Sequence, residues 1–153
     1  MTVYKGSKLA AARGAYAQAF GNAWAADDTT TVSAALTTSD RLDVLRVARG
    51  VRLTELFSTN GDLDTGTPAL AYKVGYRKVN TDGALADNDS YFGSALTALQ
   101  APVTGAAPTR YAFAPITFEE DVFITVTPTT GAAALAAAAD VVFYARGEMI
   151  GGK

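Results

Sequence analysis

The sequence predicts an all-β chain, a sandwich or barrel of seven or eight short strands with one brief helix. Three observations predict it. From residue 29 onward, apolar and polar residues alternate with period two. Clusters of Gly, Asp, Asn, Thr and Pro punctuate those runs at short intervals. No strand–helix alternation suggests a parallel α/β sheet. At 153 residues the chain fits one domain.

Residues 1–28 differ from the rest. They are rich in Ala and Gly, and Lys5, Lys8 and Arg13 precede the first acid, Asp27. Tyr16, Phe20 and Trp24 are spaced by four, which suits one helix face. All three positions are even, which suits one strand face equally. Gly14 and Gly21 weaken the helix. The stretch reads as an N-terminal arm with little structure of its own, whose aromatics pack onto something else. The sandwich domain is then 29–153.

Thr29–Leu36 is β-prone through its Thr and Val content. Leu42–Val47 leads into a turn at Ala48-Arg49-Gly50. In the next strand Val51, Leu53, Glu55 and Phe57 share one face, and Arg52, Thr54 and Leu56 the other. The loop 58–68 is made of residues that tolerate positive φ or form Asx turns. Ala69–Arg77 is the cleanest strand, with Leu70, Tyr72, Val74 and Tyr76 inward and a wet outer side. Asn80–Asp89 is a polar turn. Asp89 or Ser90 caps a short helix over Tyr91–Gln100, with Phe92, Leu96 and Leu99 on one side. Ala101–Thr109 is a loop. Arg110–Phe118 and Asp121–Thr127 are strands, and Val122, Ile124 and Val126 share a face. Pro128–Gly131 reads as a turn and Ala132–Ala139 as a loop or one helical turn. Val141–Glu148 closes the sheet, with Val141, Phe143 and Ala145 opposite Val142, Tyr144 and Arg146.

Composition removes several function classes. The chain has no Cys and no His. Disulfides, thiolate metal sites, cysteine nucleophiles and a Ser-His-Asp arrangement are therefore excluded within the chain. The commonest general base and zinc ligand is also missing. A net charge of −2 sets up no strong field for nucleic acid. No stretch reads as a transmembrane helix, and the N-terminus lacks the apolar core of a signal peptide. No membrane or nucleic-acid partner and no cofactor are expected.

Four constellations carry potential chemistry. Asp64-Thr65-Gly66 looks like an aspartic-protease signature, but that reaction needs two carboxylates sharing a proton, and the tripeptide occurs once. Asp62 two residues earlier would crowd a buried dyad with further charge. The tripeptide therefore reads as a turn. Asn60, Asp62 and Asp64 resemble the start of an EF-hand loop. However, Thr65 stands where the loop needs glycine and Ala71 where it needs a bidentate glutamate. Glu119-Glu120-Asp121 reads as a solvated turn that charges a sheet edge. Arg41, Arg46, Arg49 and Arg52 are interleaved with Asp40, Asp43 and Glu55, so ion pairs on a sheet face account for them better than phosphate binding. Catalytic, cofactor and metal residues are thus expected to be none.

The run GVRLTELFSTNGDLDTGTPALAYKVGYR (residues 50–77), then DNDSYFGSALTAL, then YAFAPITFEEDVFITVTPTTGAA (residues 111–133), resembles virion structural proteins of tailed bacteriophages. It is similar in particular to small head decoration, or cement, proteins. The resemblance covers residues 35–148. It implies a jelly-roll-like antiparallel β-sandwich that assembles as a homo-oligomer, dimer or trimer, on the outer capsid surface. There it binds the major capsid protein and bridges capsomers, with no active site. The arm is its least covered part. Tyr4, Tyr16, Phe20 and Trp24 would supply contact area there, and Lys5, Lys8 and Arg13 would suit an acidic partner surface. Alternatives are a tail or head–tail component on the same sandwich, a hydrolase, or a carbohydrate-binding module using Tyr72 and Tyr76.

Overall fold

The computed structural model describes residues 1–10, 22–103 and 107–150. Strand β1 spans Val3–Lys5, and a four-residue helix, α1, spans Ser7–Ala10. The long strands follow: β2 (Ala23–Val32), β3 (Arg41–Val47), β4 (Val51–Asn60), β5 (Ala71–Lys78) and β6 (Asn88–Leu96). After a 3₁₀ turn at Ala98–Gln100 come β7 (Thr109–Tyr111), β8 (Ile116–Thr117), β9 (Val122–Thr130) and β10 (Ala139–Met149).

The strands form two sheets, ordered β1-β3-β9-β5-β6 and β2-β10-β4-β7, with β8 also on β4. Setting β1 aside, every pairing is antiparallel. Successive strands mostly cross from one sheet to the other, and β5–β6 is a hairpin within a sheet. That interleaving is a jelly roll, two Greek keys wrapped into a sandwich.

The alternation read from sequence makes the core. Leu42, Leu45 and Val47, Tyr72 and Val74, and Val122, Ile124 and Val126 of one sheet face Val141 and Phe143 of the other across the interior, all fully buried. Each such aliphatic or aromatic side chain contributes about 1.5–3 kcal/mol on burial. Tyr76, Tyr91, Phe92, Phe113 and Phe118 close one end of the sandwich through edge-on and tilted ring contacts.

Several local expectations are corrected. The helix expected over Tyr91–Gln100 is strand β6 followed by the 3₁₀ turn. Phe92 and Leu96 are both even-numbered, so their spacing fits a strand as well as a helix. Pairing with β5 decides the outcome, and φ of 150° at Gly93 and 54° at Ala95 breaks any right-handed helix. Strand β9 runs through the expected Pro128–Gly131 turn to Thr130. There Tyr72 pairs with Pro128 beside a register irregularity, and β3 pairs β9 only as far as Val126. A residue without N–H is tolerated where one side of the strand needs no donor. Arg110–Phe118 is split between β7 and β8.

The faces of β4 are also re-phased. Glu55 pairs with Arg146 but Leu53 pairs with Gly147, which leaves Thr54 as a bulge residue. Val51 and Leu53 point inward before it; Leu56, Ser58 and Asn60 do so after it. Phe57 is thereby turned to the outer face. A Cβ on Gly147 would overlap the Arg52 carbonyl oxygen, so this close approach requires glycine.

Strand β2 starts at Ala23, six residues before the expected sandwich boundary. The even-position alternation continues unbroken from Trp24 through Ala26, Asp28 and Thr30 to Val32, all inward. Ten cross-strand pairs, from Ala23↔Glu148 to Val32↔Ala139, hold it to β10.

Candidate interaction surface

The carboxylates that suggested chemistry are spent on holding loops. Asp64 is 1% exposed. Its Oδ2 accepts the Ala69 and Leu70 amides and its Oδ1 the Ala133 amide, each at 2.6 Å. Burial raises its pKa, but backbone donors from Leu70, Ala69, Ala133 and Ala134 outweigh that and leave it below the usual carboxylate value. Asp62 Oδ1 accepts the Asp64 amide at 3.1 Å, an Asx turn. Asn60 donates Nδ2 to the carbonyls of Gly61 and Ala101. No cluster of three or more metal-ligating acids occurs among the described residues.

Glu120 and Asp121 act in the same way. Glu120 Oε1 accepts the amides of Ala84 and Leu85. Asp121 accepts the Arg49 amide at 2.8 Å and pairs with Arg46. Of the arginine set, Arg41 donates Nε to buried Asp43, which also takes a two-point contact from Arg77 at 3.1 and 2.7 Å. Arg77 in turn lies 4.6 Å over the Phe123 ring. Tyr72 and Tyr76 are 0% and 8% exposed, so they offer no platform for a sugar. Burial raises the pKa of both phenols.

The expected arm residues fall into four groups. Tyr4 and Lys5 lie in β1, which adds in parallel to β3; Tyr4 packs against the core and Lys5 is exposed. Lys8 is tied to β2, where its Nζ meets the Asp27 carboxylate at 2.8 Å and the Asp27 carbonyl at 2.7 Å. Beside it, Asp28 Oδ1 accepts the Ser7 hydroxyl at 3.0 Å and the Lys8 amide at 2.9 Å. Trp24 is 3% exposed and faces the core. Its ring therefore packs within the chain instead of offering contact area. Arg13, Tyr16 and Phe20 lie outside the described residues.

A different surface presents aromatic and cationic groups together. On the outer face of the β2-β10-β4-β7 sheet, Asp27, Tyr144, Phe57 and Arg110 form one continuous cross-strand row. The neighbouring row is Ala25, Arg146 and Glu55. Tyr144 is 39% exposed, and a groove of about 840 Å³ runs between these side chains and Pro108. Small side chains at Ala25 and Ala107 make the hollow. Arg110 lies 5.9 Å over the Phe57 ring. Arg110 and Arg146 share one carboxylate, Glu55, each at 3.7 Å, with both guanidinium side chains about 70% exposed. Strict alternation puts Phe57 on the same face as Val51 and Leu53, because the Thr54 bulge leaves no mark in it. The outward step from Val142 through Tyr144 to Arg146 was the available signal.

No protein-family model matches the chain, and no curated protein matches it. Two solved structures share its architecture. A chain of the capsid of Ralstonia phage GP4 aligns with a TM-score of 0.66 at 17% identity, covering 99% of each chain. A chain of the cyanophage Pam1 capsid asymmetric unit aligns with a TM-score of 0.65 at 18% identity, covering 89% of this chain and 91% of that one. At these identities the likeness is one of fold: the jelly roll described above is built in the same way in both capsid chains.

Proposed function

We propose that the chain is a non-enzymatic virion structural protein that decorates the outer surface of a tailed-phage head. In this reading it binds the major capsid protein as a dimer or trimer and reinforces contacts between capsomers. The observation that carries the proposal is the end-to-end correspondence with the GP4 capsid chain, 99% of each. The correspondence spans the whole sandwich of both chains. The commitment of Asp64, Glu120 and Asp121 to loop amides supports a scaffold role over catalysis.

Reinforcement is tested on heads purified with and without the chain. A cement protein raises the temperature at which packaged DNA is released, and adding the purified chain back restores it. Identical release temperatures in all three preparations would reject the cementing role.

A further inference from the structure

The geometry points to the outer face of the β2-β10-β4-β7 sheet as the docking surface, and to an acidic segment of the shell protein as its occupant. This inference rests on the virion reading and names the part of the chain that meets the shell.

Arg110 and Arg146 stand on either side of Glu55, whose two oxygens lie 3.7 Å from one guanidinium each. Those separations exceed a hydrogen bond, so neither guanidinium spends a directional donor on Glu55. Asp27, the other acid lining the groove, is already paired with Lys8 at 2.8 Å, so three cations face two anions and one positive charge is left over on a chain whose total is −2. One added carboxylate completes that set. Between the arginines and β2, the hollow over Ala25, Pro108 and Tyr144 is lined by apolar surface and takes an apolar side chain. Tyrosine, phenylalanine and arginine are the side chains that concentrate binding energy at protein interfaces.

The same details count against other ligands. A surplus of a single positive charge suits one carboxylate and falls short of the run of phosphates in a nucleic-acid backbone. A sugar needs open aromatic faces, but Arg110 covers Phe57, and alanine and proline line much of the groove.

The test uses tail-less heads that lack the chain, with bound protein measured by co-sedimentation. The double variant Arg110→Glu/Arg146→Glu reverses two exposed charges, and Tyr144→Ser removes the exposed ring. Lys73→Glu on the opposite sheet is the control, and urea midpoints confirm that all variants fold. Wild type and control should bind alike, and binding should weaken as salt rises. The double variant should bind at least about tenfold more weakly, since it sets like charges against an acidic partner. Equal binding by wild type and all variants would overturn the assigned face while leaving the virion reading intact. Intact head binding with an altered oligomeric state would also overturn it, because the occupant would then be a second copy. Failure of the wild type to bind heads would reject the head-decoration reading, and this inference with it.

Discussion

The Asp64 carboxylate accepts the Ala133 amide at 2.6 Å, joining the loop before β5 to the loop between β9 and β10 across 69 residues of sequence. Its other oxygen takes Ala69 and Leu70. All three donors are neutral amides turned on a buried anion, and removing the anion orphans them. Asp64→Asn should therefore destabilise the fold by about 2 kcal/mol and Asp64→Ala by more, because lost charge-assisted bonds and unsatisfied buried amides add. Urea midpoints measure both. An unchanged midpoint in Asp64→Ala would show that the carboxylate is not a clamp.

Acid sensitivity follows from the same groups. Asp40, Asp64 and Asp121 all titrate below the ordinary value of 3.8 in the folded chain. Burial opposes this in each case, and the hydrogen bonds they accept prevail, joined by the Arg46 charge at Asp121. The unfolded chain therefore binds protons more readily than the folded one near pH 4. The stability these carboxylates confer is complete above about pH 3.8 and is lost as pH falls through their lower folded-state values. Thermal midpoints should be flat well above pH 4 and fall steeply below it. Asp64→Asn should show a shallower fall than wild type.

Trp24 supplies an optical test of where the sandwich begins. It is the chain's only tryptophan and is 3% exposed. Its emission should be blue-shifted and poorly quenched by iodide, and both properties should be lost together at the urea midpoint. Water-exposed emission in the native protein would return residues 23–28 to the arm.

Asp28 fastens the N-terminal segment to β2 through Ser7 and Lys8. Gly6 passes so close to this carboxylate that a Cβ would overlap it. Asp28→Ala should release α1 while leaving most of the ten-pair register between β2 and β10 in place. A lysine-specific protease should then cut after Lys5 and Lys8 at least about tenfold faster, since cleavage tracks local opening. Equal rates in both proteins would show that Asp28 does not hold the segment.

The legible part of this fold is the part governed by period two. Leu70 to Tyr76, Val122 to Val126 and Val141 to Ala145 lie on the faces that their alternation assigns. Bulges were not legible. One extra residue at Thr54 re-aims Phe57, and the irregular pairing of β6 makes a strand from a helix-like spacing. That Asp64-Thr65-Gly66 lies in a loop between strands was readable from the turn-forming residues around it. That Asp64 is instead a clamp on Ala133 was not, because its partners come from a distant loop. The outer-face row of Tyr144, Phe57 and Arg110 is assembled from three strands, so no local window of sequence contains it.

The most direct measurement is the copy number of the chain on purified tail-less heads, set against the major capsid protein by quantitative mass spectrometry. A head decoration protein is present in many copies, in fixed proportion to the shell subunit. Its absence from tail-less heads, or its presence only with tails attached, would contradict the account.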